Sequence, residues 1–197
     1  MLRIIGGDLR GRILEKPPHS VTRPTSDRAR ESLFNILTHR FKNQAGLSLL
    51  KDAYVLDLCA GSGAFGFECL SRGAAFCVFV DNTLSALSTL RKNQKNLGLD
   101  FKSLLLKADI LTPFSLPQNS FPLPKTGFDL IFLDPPYGKG YVEKALEVCI
   151  HQNYLSSHSL FLAELEYNED ITFLHHRFEI LDQRRYGRAQ FIFGHLK

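Results

Sequence analysis

No apolar run in the 197-residue sequence approaches the roughly 18 residues a membrane-spanning helix needs. The opening stretch, MLRIIGGDLRGR, lacks an apolar core followed by a small-residue cleavage site, so no secretory signal is expected and a cytoplasmic location is. Cysteine is scarce. Cys59, Cys69, Cys77 and Cys149 show no CxxC spacing and stand among apolar neighbours. They read as small core residues of a reducing cytosol, not as a zinc or disulfide framework, and no metal site is expected. Internal repeats and low-complexity tracts are also missing. What remains is 44% apolar and 22% charged, which is ordinary for a soluble globular protein. The length suits one α/β domain with a small extension.

Charge is unevenly spread. Residues 1–42 hold nine Lys/Arg against four acids, a net +5 in a chain whose total is +4. The other residues therefore sum to about −1. A basic arm on a near-neutral body points to an anionic partner, for which nucleic acid is the usual candidate; a solvated basic face is the alternative. The sequence divides accordingly into an arm, 1–42, and a main domain, 43–197.

In the arm, apolar alternation at Leu2–Ile5 and Arg12–Leu14 around Gly6, Gly7 and Gly11 predicts a β-hairpin. After the Pro17-Pro18 and Arg23-Pro24 loop, Thr25 or Ser26 caps a helix expected to reach Phe41, with Ala29, Leu33, Phe34, Ile36 and Leu37 on its apolar face. From Ala53 a regular beat begins. Strands are expected at 53–58, 74–80, 103–108, 128–134 and 159–165, and helices at 64–71, 83–97 and 139–152. That alternation predicts a mostly parallel sheet covered on both faces. Two closing runs, Thr172–Leu181 and Ala189–Leu196, joined through DQRRYGR, predict an antiparallel hairpin at one edge. Residues 112–126 carry four of the nine prolines and read as a surface loop.

The first of these strands runs into CAGSGAFGFECL. Gly61, Gly63 and Gly66 spell GxGxxG between a strand and a helix, and Asp81 follows Gly61 by 20 residues at the end of the next strand. Glycines allow close backbone approach to a nucleoside, and a strand-end carboxylate accepts hydrogen bonds from ribose hydroxyls. A dinucleotide would place its pyrophosphate at the helix N-terminus. Asp57, just before the loop, opposes that charge and favours S-adenosylmethionine, which offers an ammonium and a sulfonium; the same carboxylate can also cap backbone amides. Asp109 ends the third strand, where it can meet an adenine amine or cap a turn.

The fourth strand ends in IFLDPPYGKG, residues 131–140. An amine on an aromatic ring is a poor nucleophile because its lone pair is delocalised. Asp134 and the Pro135 carbonyl can accept its hydrogens and draw the nitrogen towards tetrahedral geometry. Proline fixes its own φ and restrains its predecessor, which holds those acceptors in place. Tyr137 can stack on the base, and Gly138 and Gly140 leave room. The structural alternative is a strand end with a Pro-Pro turn and a partly buried tyrosine.

DPPY after a Gly-rich loop resembles the class I S-adenosylmethionine-dependent methyltransferases that modify exocyclic amines. More narrowly, RIIGGDLRGRILEKP, TRPTSDRARESLFNIL, DLCAGSGAFGFECLSRGA and FLDPPYGKG are similar to the bacterial 16S rRNA guanine-N2 methyltransferase family, over essentially the whole chain. The resemblance implies a Rossmann-like fold with a seven-stranded sheet, S-adenosylmethionine as methyl donor, and 16S rRNA, in an assembling small ribosomal subunit, as partner of a monomeric enzyme. It implies cofactor contacts from Asp57, Ala60, Gly61, Ser62, Gly63, Asp81, Asn82, Asp109 and Ile110, and base contacts from Asp134, Pro135 and Tyr137. Arg3, Arg10, Arg12, Arg23 and Arg30 are the candidates for RNA contact, with Arg23 and Arg30 alternatively pairing with Asp27 and Glu31. Cys59 stands where an aromatic is expected, and the Pro-rich loop is longer than usual. Two other readings remain: an adenine-N6 methyltransferase, against which the basic arm in place of a separate DNA-recognition domain argues, and a non-catalytic binding protein, against which an intact Asp134 argues.

Overall fold

Strands buried on both faces must be apolar nearly throughout, and four such strands, with a half-buried one at the sheet's edge, make the parallel part of the computed structural model, which describes residues 1–18, 27–117, 123–124 and 126–197. They are β1 (Tyr54–Leu58), β2 (Phe76–Asp81), β3 (Ser103–Lys107), β4 (Leu130–Leu133) and β5 (Leu160–Glu166). With β6 (Phe178–Tyr186) and β7 (Ala189–Leu196) they make one seven-stranded sheet in the order β3-β2-β1-β4-β5-β7-β6. The first five run parallel, and β7 is antiparallel to both its neighbours. The expected closing hairpin is present, with β7 rather than β6 seated against β5.

Alternate residues of the strands feed two cores. Val55, Cys77, Phe79, Leu130, Phe132 and Leu162 pack with α1 (Asp27–His39), α2 (Ala64–Ser71) and α3 (Leu84–Leu97). Leu56, Val78, Val80, Ile131 and Leu133 pack with α4 (Tyr141–His151) and α5 (Leu174–Arg177). Thr83 caps α3 through a hydroxyl that accepts from Ala86 N, and Gly98 ends it at φ 69°, a left-handed stop that glycine takes without strain.

One expected strand differs. Its first part is the single turn α5, because Asp170 accepts from both Thr172 N and Thr172 Oγ1, and Leu174 and Phe178, four apart, both turn inward. The strand then extends through DQRRY to Tyr186, leaving Gly187, at φ 63°, and Arg188 as a two-residue turn.

The N-terminal hairpin forms with a single antiparallel bridge, Arg3 to Ile13, backed by Ile4 N to Arg12 O and Leu14 N to Leu2 O. It is not a loose tail: Leu2, Ile4 and Leu14 lie in the same core as Phe34 and Phe65. The end of α2 fastens it. Glu68, fully buried, accepts from Ile5 N at 2.8 Å and from Arg72 Nε at 2.7 Å, and Ser71 accepts from Leu9 N while donating to Gly6 O. Gly7 sits at φ 73° against the Ser71 carbonyl, where a Cβ would stand 1.9 Å from oxygen. α1 keeps its expected apolar face; Thr25 and Ser26, expected as its caps, lie outside the described residues. Ser32 meets the Tyr186 hydroxyl at 2.5 Å and Arg40 meets the Leu181 carbonyl at 2.9 Å. The helix therefore runs against β6, with its N-terminus at the carboxyl edge of the sheet.

Candidate active site

The strand order reverses between β1 and β4, so the loops after these strands part there and open a crevice at the carboxyl edge. Each expected strand-end acid lies along this edge: Asp109 after β3, Asp81 at the end of β2, Asp57 in β1 and Asp134 after β4.

The glycine loop fits its three glycines for different reasons. Gly66 has no space for a Cβ, which would lie 2.3 Å from Phe79, so α2 packs directly on β2. Gly63 (φ 77°) is similarly filled by Phe67 and Leu90. Gly61 (φ 55°) faces open space, its nearest neighbour being the Cys59 carbonyl at 3.9 Å. A ligand can approach the backbone there. Ser62 is fixed from behind, since its carbonyl accepts from Asn93 Nδ2, whose side chain also grips the Glu15 backbone through both N–H and carbonyl. Asn93 was not foreseen from sequence; one polar residue inside an amphipathic helix carries no signal until its neighbours are known.

Asp57 is 1% exposed and accepts from Gly66 N at 3.0 Å. Burial pushes its carboxyl up to about 7, the Gly66 amide pulls down and the nearby Asp81 charge pushes up. Asp81 accepts from Gly61 N at 3.0 Å and from Thr83 N and Oγ1 at 2.9 Å each, so ribose hydroxyls would share oxygens already ordered by three donors. Asn82 is exposed beside it. Asp109 is exposed and accepts from Leu111 N, the turn-capping role, while Ile110 is buried. Cys59, in a left-handed conformation at φ 61°, is kept as a neutral thiol by burial first, then by the charges of Asp81, Asp134, Asp57 and Asp109. A site so rich in carboxylate disfavours a pyrophosphate and suits a cationic ligand. The residues present fit S-adenosylmethionine.

Asp134 stays extended past β4, with its N–H on the Leu58 carbonyl at 3.3 Å. Protein surrounds it, yet its surface is exposed because the crevice above is open. Its carboxyl is raised above the usual range by this enclosure first, then by Glu164 and Asp57; access to solvent limits the size of the effect. Pro135 is buried. Tyr137 is 36% exposed, and its hydroxyl donates to Glu164 Oε1 at 2.6 Å. Glu164 is 6% exposed and follows Ala163, the register partner of Leu133, just as Asp134 follows Leu133. Sequence reasoning passed over Glu164 because SLFLAEL reads as a buried strand; an acid inside an apolar run was the available signal. Phe132 stacks on Phe65 at 3.8 Å, and Phe34 lies tilted against Phe65 at 4.9 Å, an aromatic cluster that sets α1 and α2 against the strand leading to Asp134.

Of the arginines, Arg3 pairs with Asp27 at 3.2 Å and remains largely exposed, and Arg10 is exposed. Arg12 is exposed but donates to the Asn96 carbonyl. Arg30 is buried, bonded to Asp27 and to the Arg3 carbonyl at 2.8 Å each, which is the pairing the sequence left open. Arg23 lies outside the described residues. No described helix is long and apolar enough to cross a membrane.

A parallel sheet with this order, an inserted antiparallel β7 and a glycine loop at its switch point defines the Rossmann-like class I methyltransferase fold. A precorrin-6y C5,15-methyltransferase from Geobacter metallireducens shares that fold at a TM-score of 0.61 and 17% identity, over 90% of this chain and 92% of the other. The solved structure of yhhF from Escherichia coli matches with a TM-score of 0.76 and 27% identity, over 99% and 97% of the two chains. The chain belongs to the family described as Conserved hypothetical protein 95, whose model matches residues 2–195. Its relatives include the ribosomal RNA small subunit methyltransferase D of Escherichia coli, 34% identical over 166 residues, which is 84% of this chain and 75% of that one.

Proposed function

We propose that this protein transfers a methyl group from S-adenosylmethionine to the exocyclic N2 amine of a guanine in small-subunit ribosomal RNA. The observation that carries the reading is the Asp134–Tyr137 loop beside the open Gly61 cradle, at the switch point of the sheet. Relatives named for small-subunit ribosomal RNA support the substrate class. The enzyme works in the cytosol as a monomer on an assembling particle, and residues 1–42 serve as the RNA-binding arm of the 43–197 methyltransferase domain.

The cofactor, when bound, supplies an electrophilic methyl group on a sulfonium. Gly61, Ser62 and Ala60 offer backbone to it, Asp81 accepts from its ribose, and Asp57 complements its positive charge. Asp134 and the Pro135 carbonyl hold the guanine amine, while Tyr137 stacks on the ring. The target base must leave its stack to reach Asp134, at a cost of a few kcal/mol that arm contacts offset. Incubating the protein with small-subunit particles and labelled cofactor, then digesting the RNA for mass spectrometry, tests this. N2-methylguanosine is expected, and the Asp134→Ala variant should lose it while keeping cofactor affinity within a few-fold. N6-methyladenosine, or no methylated nucleoside at all, would overturn the assignment.

A further inference from the structure

Two carboxylates stand side by side at the floor of the crevice, and the fold treats them differently. Asp134 and Glu164 occupy equivalent positions past the paired residues Leu133 and Ala163 on adjacent parallel strands, so their side chains leave the same face of the sheet. Glu164 is almost covered and takes the Tyr137 hydroxyl at 2.6 Å; Asp134 is open to the crevice. A hydroxyl that donates to a carboxylate favours its charged form. A charge on Glu164 would sit next to Asp134, and like charges in one site disfavour joint ionisation.

Methylation of an amine leaves a proton to be removed, and an asymmetric pair can decide where it goes. As the nitrogen lone pair takes the methyl group, the carbon–sulfur bonding pair stays on sulfur, which becomes neutral, and the nitrogen is left with one proton too many. That proton must go to a base touching the amine. On the reading of the substrate given above, we propose that Glu164 is a positioning residue: held as a carboxylate by the Tyr137 hydroxyl, it makes Asp134 the member of the pair that receives the amine proton. Asp134 becomes a neutral carboxylic acid and then returns the proton to water. The groups facing Asp134 are Asp57 from β1, the Cys59 thiol from the loop after β1, Glu164 from β5 and Tyr137 from its own loop. The Asp134 carboxyl is raised in the direction this scheme requires.

Glu164→Gln separates charge from structure, because the amide oxygen still accepts the Tyr137 hydroxyl. With wild type and variant at saturating RNA and cofactor, the kcat–pH profile of Glu164→Gln should move to lower pH by about one unit or more. RNA and cofactor affinities should stay within threefold. Superimposed profiles would mean that Glu164 only holds Tyr137, and the inference fails. Should the variant fold poorly, carboxyl ¹³C titration of the wild type without ligand answers the same question: Asp134 must keep its proton to higher pH than Glu164, and the reverse order overturns the scheme. A wild type that makes no N2-methylguanosine sinks the substrate reading instead, whatever the order of titration.

Discussion

Replacing Asp57 with asparagine tests whether the crevice is tuned for a cation. Burial holds the Asp57 carboxyl near pH 7, so free protein at pH 6 carries that charge in only about a tenth of its molecules. A cationic cofactor binds the charged form better and draws out the proton. Below pH 7 its affinity should therefore fall towards tenfold, about 1.4 kcal/mol, per pH unit. Between pH 7.5 and 5.5 the ionised fraction drops from roughly three-quarters to roughly 3%, a loss of about 25-fold or 1.9 kcal/mol. Stability of the free protein moves the opposite way. A carboxyl whose folded value lies above its unfolded value near 4 favours the fold while it is protonated, and that contribution is lost as pH rises through about 7. Asp57→Asn should flatten both dependences and raise the melting temperature at pH 8, since the amide oxygen keeps the Gly66 bond. Calorimetry of S-adenosylmethionine binding across this range, in buffers of different ionisation enthalpy, reads affinity and proton release together. Equal affinity at pH 5.5 and 7.5, or an unchanged slope in the asparagine variant, would refute the reasoning.

Two further outcomes are expected. Gly66→Ala forces a Cβ into Phe79 and should destabilise by about 1–3 kcal/mol, whereas Gly61→Ala meets open space, should cost about 1–2 kcal/mol through its positive φ, and should weaken cofactor binding more than stability; thermal melts beside calorimetry compare the two. Replacing Arg10 and Arg12 with alanine should lower RNA affinity and shallow its salt dependence by up to about two units of slope in filter binding, without changing cofactor affinity, and parallel salt lines would mean the arm is only a solvated face.

Much of this was legible in the sequence because it depends on local rules. The glycine loop, Asp81 and helix α2 were placed by the spacing between a strand and a helix, and Gly98 stopped α3 where a left-handed residue was needed. Asp134 announced itself by standing between an apolar strand and two prolines. What stayed hidden depends on residues far apart in the chain. Glu164 acquires meaning only when β5 is laid beside β4, and Asn93 only when α3 brings it between Glu15 and Ser62. Arg30 carried the same charge as Arg10 in the sequence, yet one is buried against Asp27 and the other is exposed. The turn α5 was missed because a four-residue spacing of Leu174 and Phe178 sits within a run that also alternates.

If RNA docks on the N-terminal hairpin, as proposed above, the hairpin's fastening would make it a measuring device. Glu68, Ser71 and Arg72 lock it from α2, Leu2, Ile4 and Leu14 root it in the core, and Asn93 ties residue 15 to the glycine loop. Little chain entropy remains to be lost when a partner docks on it. A polyanion docked there would therefore be held at a fixed span from the crevice. On the function proposed above, that span along the folded RNA would set which nucleotide reaches Asp134, as a stop on a ruler does, and selection would need few contacts to the bases around the target.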